Sequence, residues 1–412
     1  MNATDEGVAA DYVTRVIHDP GDMDAAEWNT LLRLHTQGVP GGPFMRHEYL
    51  HALHVSGSAT PATGWHPQWL TLWRSGVLHA AAPVYAKAHS YGEYVFDWAW
   101  AQAHEAHGLP YYPKGLVAVP FTPVPGPRLL ARATAARDAL QAALLQQAAQ
   151  ARWSSMHVLF HDASDQAILQ PPAWLARQTV QFHWHNTCRS PDGPRPYRDF
   201  DELLSQMTQE KRKKIRQERR KVQQAGIRFE ARRGRDITAA DWDFFYRCYC
   251  QTYWEHGNPP YLKPGFFEAM ADKLADWWLL FIARDPTGQP IACSLIALSD
   301  DSARPRVAYG RYWGALQRVD SLHFEACYYQ PLEWCIAHGV ERFEGGAQGV
   351  HKMARALLPV RTHSAHWLAH PAFAQAVERF LQREAASLDQ QMARLQQRSP
   401  MRAIVHKGAP GA

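Results

Sequence analysis

The sequence has no long hydrophobic run. No segment approaches the roughly 18 uncharged apolar residues that cross a bilayer, and the start, MNATDEGVAADY, has neither the basic region nor the apolar stretch of a secretory signal. Cysteine is scarce, with six residues and no C-x-x-C pair. These absences disfavour a membrane span, a disulfide framework and a zinc ribbon. We therefore expect a cytoplasmic protein with reduced, mostly buried thiols.

Hydrophobic residues, in contrast, are plentiful. They make up 46% of the 412 residues, and 16 residues are tryptophan. This composition predicts sizeable packed cores and excludes an intrinsically disordered chain. At about 100 to 200 residues per domain, the length predicts two to three domains.

Residues 47–51 spell HEYLH, which matches the H-E-x-x-H pattern of zinc metalloproteases. In a chain with 22 histidines such a match arises easily by chance. No Gly-x-x-His follows at the spacing that would supply a third ligand. We predict no metal site, and interpret His47 and His51 as part of an interacting helix surface.

Four short segments recur in the same order in the two halves of the chain. The matched pairs are DMDAAEWN at 22–29 with DITAADWD at 236–243, PFMRHEYLHAL at 43–53 with PYLKPGFFEAM at 260–270, WLTLW at 69–73 with WLLFI at 278–282, and His107-Gly108 with His338-Gly339. The recurrence indicates two copies of one unit. In the second copy Pro264 and Glu268 replace the two histidines of HEYLH, whereas Tyr49 is matched by Phe266. The shared feature is thus an apolar helix face.

Each copy is predicted to run strand, helix, helix, strand, turn, strand, strand, helix, strand. Apolar helices alternating with hairpin strands predict a mixed α/β fold with helices on both faces of the sheet. The predicted domains are residues 1–190, residues 191–398 with a basic helix at 205–224, and a tail at 399–412.

Several long segments resemble a known family. They are HSYGEYVFDWAWAQAHEAHGLPYYPKGLVAVPFTPV from His89, KRKKIRQERRKVQQAGI from Lys211, YGRYWG with LHFEACYYQ, and EGGAQGVHKMARALLPVRTHSAHW. They look like the FemAB-like predicted N-acyltransferases of peptidoglycan biosynthesis or recognition, in the GNAT acyltransferase superfamily. The resemblance covers nearly the whole chain and implies a tandem duplication of two GNAT-like acyltransferase domains. Enzymes of the wider Fem group transfer an amino acid from aminoacyl-tRNA to a peptidoglycan precursor.

A basic run lies between residues 209 and 221. Eight bases against two acids give it a local charge of +6, whereas the whole chain carries +5. Met207, Ile215 and Val222 predict one narrow apolar seam on a helix that is otherwise cationic. A solvated helix face is the ordinary interpretation, but such faces usually mix both signs, so we favour polyanion binding. The resemblance implies tRNA phosphate or a nucleotide diphosphate as the ligand.

EGGAQGVHK follows a predicted strand that ends at Glu344. Its glycines allow a tight turn and bring backbone amides near a ligand, with His351 and Lys352 at the end of the sheet. An ordinary strand-to-loop turn is the alternative, and the family likeness favours a site. The family pattern has an acid where this chain has Val350, and a glycine where it has Ala356.

YGRYWG is predicted to be a strand in which Tyr309, Arg311 and Trp313 share one face, and Gly310 and Tyr312 the other. Each tyrosine alone is equally consistent with a core position.

The helix LHFEACYYQ places His323 and Glu325 among apolar residues. Because burying an unpaired carboxylate is costly, we predict that either side chain accepts a proton from an attacking amine.

The acyl donor is constrained by a missing motif. GNAT enzymes that use acetyl-CoA bind its pyrophosphate with a Q/R-x-x-G-x-G/A loop, and the corresponding segment here, GALQRVDS at 314–321, lacks those glycines. We therefore expect no bound cofactor, and aminoacyl-tRNA in preference to acyl-CoA as the donor.

These observations predict an N-acyltransferase that moves an aminoacyl or acyl group to an amine. The alternatives are a non-catalytic module that binds nucleic acid or an anionic glycan precursor, and an acetyl-CoA-dependent N-acetyltransferase. The predicted catalytic residues are Glu325, His351 and His323. The predicted substrate contacts are Lys211, Arg212, Lys214, Arg216, Arg219, Arg220, Tyr309, Arg311, Tyr312, Gln348 and Lys352. The predicted partner is a polyanionic substrate, either tRNA or a nucleotide-linked cell-wall precursor, and the sequence specifies no oligomeric state.

Overall fold

A computed structural model of the chain describes residues 12–37, 42–190, 193–347 and 349–402. The strands are β1 (Val13–Ile17), β2 (Trp65–Pro67), β3 (Trp69–Arg74), β4 (Val77–Ala82), β5 (Val84–Lys87), β6 (Lys114–Val117), β7 (Leu130–Ala131), β8 (Ser155–His161), β9 (Leu175–His185), β10 (Cys188–Ser190), β11 (Gly193–Arg195), β12 (Arg228–Arg233), β13 (Trp278–Arg284), β14 (Pro290–Leu298), β15 (Val307–Ala315), β16 (Arg342–Ala347) and β17 (Leu358–Leu368). The α-helices are α1 (Ala25–His35), α2 (His47–Val55), α3 (Trp98–Ala106), α4 (Thr134–Gln150), α5 (Ala163–Gln166), α6 (Phe200–Ser205), α7 (Gln209–Gln224), α8 (Ala239–Glu255), α9 (Pro264–Lys273), α10 (Leu322–Phe324), α11 (Gln330–Ala337) and α12 (Pro371–Gln397). A π-helical turn, Glu325–Tyr329, joins α10 to α11, and a 3-10 helix covers Val350–Arg355.

The strands form one large and one small sheet, with β10 and β11 as a separate hairpin. The large sheet has eleven strands in the order β12-β13-β14-β15-β16-β9-β17-β8-β6-β5-β2, and the small sheet has the order β1-β3-β4-β7. Pro83, between β4 and β5, has no backbone N–H and interrupts the ladder. The chain passes there from the small sheet to the large one.

The order of the elements repeats within the chain. β1, α1, α2 and β3 in the first half correspond to β12, α8, α9 and β13 in the second, and the two strands of each set pair antiparallel. Farther along each half, a helical connection joins two parallel strands: α4 joins β6 to β8, and α10–α11 joins β15 to β16. The predicted tandem duplication is confirmed.

The first matched segment pair marks the start of corresponding helices. The Asp24 side chain accepts a hydrogen bond from the backbone N–H of Glu27 at the start of α1. Thr238 and Asp241 form a reciprocal capping box at the start of α8. The second and third pairs fall on α2 with α9 and on β3 with β13.

The fourth matched pair, His107-Gly108 with His338-Gly339, does not mark corresponding elements, so this part of the prediction was wrong. His107 caps α3, which lies between β5 and β6, whereas His338 caps α11, which lies between β15 and β16. The topological counterpart of α11 is α4, because both connect parallel strands. The His-Gly pairs therefore mark similar helix ends at different places in the fold.

The last strand of each half is exchanged between the halves. β9 comes from the first half and pairs with β16, while β17 comes from the second half and pairs with β8. β9 and β17 also pair antiparallel with each other, so a pseudo-twofold axis passes between them. The predicted domain boundary at residue 190 follows β9 and stays a prediction.

The HEYLH segment lies in α2 and packs between the halves. The Tyr49 ring lies edge-on to Phe266 of α9, with ring centroids 5.2 Å apart. His47 Nε2 is 2.8 Å from the Pro20 carbonyl oxygen, and its ring stacks on that of His51. Within the described ranges, no three His, Cys, Asp or Glu side chains are grouped so that they could hold a metal ion.

The six cysteines are free thiols, and all but the partly exposed Cys327 are buried, as predicted. No helix in the described part of the chain is both long and apolar enough to cross a membrane.

Candidate functional site

The parallel strands β15 and β16 part and leave a cleft in the large sheet. They pair over Val307–Tyr309 and Arg342–Glu344, and both then continue beyond the paired residues. A β-bulge at Arg311 shifts the register of β15 against β14. Residues 310–313, Gly345, Ala347 and Lys352 line the cleft from both faces of the sheet. The cleft is therefore open on both sides.

One opening, which we call the aromatic mouth, faces α8 and the first half. It has a volume of about 580 Å³, and its rings include Tyr94, Phe121, Tyr249, Tyr253 and Tyr261. Phe121 of the first half stacks on Tyr261 of the second, with ring centroids 4.9 Å apart. The described residues that line this mouth include Arg311 and Lys352 but no Asp or Glu. Such a surface suits a neutral or anionic ligand that offers flat rings for stacking.

The other opening, which we call the histidine mouth, faces the π turn and the 3-10 helix. It has a volume of about 370 Å³. The Tyr328 hydroxyl lies 3.2 Å from Nε2 of His351. The rings of His323 and His351 have their centroids 6.4 Å apart. The structure thus brings these two predicted catalytic residues together.

Both histidines of this mouth have a lowered pKa. Burial lowers the pKa of His323 to about 4. Burial, and then the charges of Lys352 and Arg355, lower the pKa of His351. Both imidazoles are therefore neutral at pH 7, and the strong lowering at His323 makes it a weak proton acceptor, so His351 is the better candidate for the base.

The predicted assignment of side chains to the two faces of β15 was wrong beyond the bulge at Arg311. Tyr312 packs on the same side as Tyr309: its ring lies 5.2 Å from that of Tyr249, and the Tyr309 ring lies 5.1 Å from Phe44. Trp313 lies on the opposite side, 5.3 Å from His323. One extra residue reverses the alternation of side chains beyond it. Tyr312 and Trp313 consequently line the cleft.

Tyr309, a predicted substrate contact, is buried beneath the cleft and does not line it.

Arg311, another predicted contact, fastens the wall of the cleft to the first half. Its Nη2 atom donates to the carbonyl oxygen of Phe121 at 3.1 Å. Its guanidinium also lies over the rings of Phe44 and Tyr312, at 5.3 Å and 5.0 Å from their centroids. Arg311 lines both mouths while it holds Phe121 in place.

Lys352 fixes the glycine loop at the end of β16. Its ammonium donates to the carbonyl oxygens of Gly345 at 2.5 Å and Ala347 at 3.1 Å. Burial lowers the pKa of Lys352 to about 8. A Cβ atom on Gly345 would lie 2.9 Å from the Phe182 carbonyl oxygen, so the close approach of β16 to β9 requires glycine there. The predicted contact Gln348 lies outside the described residues.

Glu325, the third predicted catalytic residue, does not line the cleft. One carboxylate oxygen accepts from Arg219 at 3.2 Å and from Gln330 at 2.8 Å. The side chain lines a different cavity on the α7 side of the π turn. The structure therefore separates Glu325 from His323 and His351, and its catalytic role stays a prediction.

The basic run forms α7, with Ile215 and Val222 buried as predicted. Half of its bases pair with acids, in the pairs Lys211–Glu210, Arg216–Asp201, Arg219 with Glu325 and Glu333, and Lys221–Asp320. Across the described residues, no ion pair is formed by Arg212, Lys213, Lys214 or Arg220. A cationic surface thus remains on the outer side of the helix.

A buried ion pair ties α7 to the 3-10 helix of the histidine mouth. Arg355 Nη2 lies 2.9 Å and 3.0 Å from the two carboxylate oxygens of Glu218. The Tyr329 hydroxyl also donates to Glu218. The same 3-10 helix carries His351 and Lys352, so this ion pair links the basic helix to the cleft.

The corresponding place in the first half is filled. β6 and β8 pair in parallel over three residue pairs and then part, as β15 and β16 do. The chain returns so that Gly126 forms a parallel bridge to His161. Arg128, 1% exposed, donates to the carbonyl oxygens of Leu159 at 2.9 Å and Val124 at 2.6 Å. These groups occupy the space that the second half leaves open.

The rings of the aromatic mouth were missed by sequence reasoning. Tyr249 and Tyr253 lie one turn apart in α8, in the aromatic-rich segment FFYRCYCQTYW. Aromatic residues in such a helix usually belong to the core. The number of tyrosines in this segment was the available signal, since a buried tyrosine needs a hydrogen-bond partner for its hydroxyl group.

A family model described as FemAB-like, peptidoglycan biosynthesis/recognition, matches residues 20–403. No curated protein matches the chain. Among solved structures, the C-terminal domain (DUF2156) of a protein described as a lysylphosphatidylglycerol synthetase from Agrobacterium fabrum is similar, with 8% identity, a TM-score of 0.51, and coverage of 86% of this chain and 95% of that one. FemX has 11% identity and a TM-score of 0.49, over 88% of this chain and 100% of that one. L-PGS from Bacillus licheniformis has 10% identity and a TM-score of 0.49, over 86% and 96%. At these identities, the Agrobacterium domain shows a shared fold.

Proposed function

The chain belongs to the FemAB-like family of peptidoglycan biosynthesis and recognition, and from this membership and the cleft we propose that it is an N-acyltransferase. The two GNAT-like halves predicted from the sequence are the fold of this chain. The observation that carries the proposal is the cleft between β15 and β16, open on both faces of the sheet with two neutral histidines at one mouth. A donor and an acceptor enter from opposite faces and meet between the parted strands.

The donor is assigned to the histidine mouth. The ion pair of Glu218 with Arg355 connects α7 directly to the 3-10 helix of this mouth. A carrier with phosphates, such as the tRNA of an aminoacyl-tRNA, would lie along the outer bases of α7 and direct its acyl ester to His351. The acyl group then lies beside Gly345 and Trp313.

The acceptor is assigned to the aromatic mouth. Its tyrosines and Phe121 offer flat surfaces on which a sugar or base of a nucleotide-linked or glycan precursor can stack. Arg311 supplies positive charge near the middle of the cleft. The amine of the acceptor reaches the acyl carbonyl through the gap between the strands.

The chemistry needs positioning and one proton acceptor. The acceptor amine attacks the carbonyl carbon of the ester, the new C–N bond forms, and the C–O bond to the carrier breaks. A neutral His351 or His323 takes the proton that leaves the nitrogen, and the carrier oxygen receives a proton as it departs. The Tyr328 hydroxyl, 3.2 Å from His351, orients that imidazole.

The test is transfer of a labelled acyl group to a precursor amine, with aminoacyl-tRNA and acyl-CoA supplied in parallel as donors. His351→Ala should lower kcat/KM by about 100-fold, because removing a general base typically costs 100-fold to 10,000-fold. The matched control is His107→Ala, which changes an exposed histidine at the C-cap of α3, outside the lining of the cleft, and should leave the rate unchanged. Equal rates for His351→Ala and wild type would contradict the assignment of the histidine mouth.

Binding without turnover is the second candidate function. The lining of the two mouths favours this function. Their described lining residues include no Asp or Glu, so they offer no carboxylate as a general base. If the wild-type chain bound a nucleotide-linked precursor but consumed neither donor, the binding function would replace the transferase. Consumption of acyl-CoA alone would identify the acetyl-CoA-dependent alternative.

A further inference from the structure

A second cavity lies on the other side of the π turn from the histidine mouth. It has a volume of about 570 Å³ and is bounded by α6, α7, the start of β12 and the helical segment 325–333. We call it the α6–α7 pocket. It shares no described lining residue with either mouth of the cleft, and it is as large as the aromatic mouth.

Charges of both signs face the α6–α7 pocket. The cationic groups come from α7, and four carboxylates come from α6 and the segment 325–333. Arg219 pairs with Glu333 at 2.7 Å, and Arg216 lies 3.5 Å from Asp201. Arg220 also lines the pocket, and it forms no ion pair with any residue of the described ranges. A free guanidinium is therefore available to an anionic group.

A buried carboxylate oxygen in the wall of the pocket is also free. Glu325 is 4% exposed, and one of its oxygens accepts from Arg219 and Gln330. The other oxygen, Oε2, is buried and has no hydrogen-bond partner within the described part of the chain. An unpartnered buried polar atom is costly, so a rotation of the Glu325 carboxylate that turns Oε2 towards the pocket, where a ligand can donate to it, would relieve that cost.

We propose that the α6–α7 pocket binds a small zwitterion, namely a free amino acid or a short peptide with both termini unblocked. Its ammonium group donates to Oε2 of Glu325, and its carboxylate pairs with Arg220. A simple anion would meet the carboxylates of the pocket, and a simple cation would meet the guanidiniums, so a ligand with both charges fits best. The volume lies in the range of about 300 to 1,000 Å³ that is usual for small-molecule sites.

The apolar part of the pocket accommodates the remainder of such a ligand. Phe200, Val222, Ile227 and Phe229 line it between the charged groups. They offer a surface for the methylene or methyl groups of an amino acid side chain.

The position of this site links it to the cleft. Glu325 begins the π turn on the side of the α6–α7 pocket, and Tyr328 of the same turn faces the histidine mouth. A ligand held by Glu325 therefore favours one placement of the turn that also carries Tyr328. The pocket shares no described lining residue with either mouth of the cleft, and Arg220 is the one base without an ion pair that it takes from the described part of α7.

Isothermal titration calorimetry of the full chain tests the proposal, with L-alanine, L-lysine and trialanine as probes. At least one unblocked probe should bind, and N-acetylation or C-terminal amidation of that probe should weaken binding on the order of tenfold or more. Arg220→Ala and Glu325→Gln should each weaken it to a similar extent. Lys213→Ala removes the same charge from an exposed position of α7 that does not line the pocket, and should leave the affinity unchanged.

Three outcomes would overturn the proposal: no heat of binding with any probe, equal affinity for blocked and unblocked probes, or an equal effect of Lys213→Ala. Circular dichroism and thermal melting show whether Glu325→Gln stays folded. If it does not, the exposed Arg220→Ala decides the result. The measurement involves no acyl transfer, so a failure of the transferase function leaves its outcome readable.

Discussion

The two halves of the chain use the same pair of parting parallel strands in opposite ways. In the second half, β15 and β16 part and leave an open cleft. In the first half, the chain after β6 turns back and Arg128 fills the space. Part of that same segment, Phe121, then forms a wall of the open cleft. Duplication thus provides one site and one support for it, although each copy has the strands for both.

The largest expected effect on stability comes from removing the Arg128 side chain, which fills the space between the parting strands of the first half. Arg128→Ala should lower the free energy of unfolding by about 4 kcal/mol, because it leaves a cavity and the carbonyl oxygens of Leu159 and Val124 without a donor. Urea denaturation followed by circular dichroism measures this. Arg74→Ala, an exposed arginine of the same half, is the control and should stay within about 0.5 kcal/mol of wild type. An equal stability of both variants would show that Arg128 does not fill a structural gap.

A smaller effect on stability is expected from a substitution that narrows the cleft of the second half. Gly345→Ala places a Cβ atom 2.5 Å from Leu357 Cδ2 and 2.9 Å from the Phe182 carbonyl oxygen, so β16 must move. We expect a loss of about 2 kcal/mol in stability, typical of overpacking, together with at least a tenfold loss of acyl transfer. Denaturation and the transfer assay measure the two effects.

The control for this change is Gly265→Ala in the first turn of α9. A Cβ atom there makes only ordinary contacts, at 3.7 Å from Ser56 Cβ. It should keep wild-type transfer activity. If Gly345→Ala also kept full activity, the width of the cleft would not matter to the reaction.

The smallest effect is a gain in stability where the second half stores backbone strain. The 3-10 helix of the histidine mouth ends at Ala356, whose φ of +66° is left-handed. Ala356→Gly should raise the free energy of unfolding by about 1 kcal/mol, because the left-handed conformation is unfavourable for a residue with a Cβ atom. Thermal and urea denaturation measure the gain. Ala354→Gly, in the same 3-10 helix without a positive φ, should not stabilise the protein.

Local patterns in the sequence predicted the elements and the repeat. The strand, helix, helix, strand order that opens each half, the antiparallel hairpin of β13 and β14, and the apolar seam of α7 all lie where the sequence places them. The fourth matched segment pair gave a wrong correspondence, because a His-Gly sequence indicates the end of a helix but not where that helix lies in the fold. Gly108 and Gly339 both have a positive φ, which is the conformation that ends helices generally.

Features that depend on distant contacts were not predictable in this way. The bulge at Arg311 reverses the faces of Tyr312 and Trp313, and strict alternation along a strand gives no sign of it. Glu325 is a carboxylate among apolar residues, which led to its prediction as a catalytic residue, but the π turn directs it away from His323 and towards Arg219. Pairing of β9 with β17 joins segments far apart in sequence, and nothing local to either strand specifies its partner.

The exchanged strands also set an order of events during synthesis. β8 is complete at His161, yet β17, which pairs with one edge of β8, ends only at Leu368. A chain leaving the ribosome therefore exposes the unpaired edge of β8 until almost all of the second half has emerged. Completion of the first half waits for the C-terminal part of the chain, so we expect the two halves to mature together, with chaperone protection of that edge most valuable late in translation.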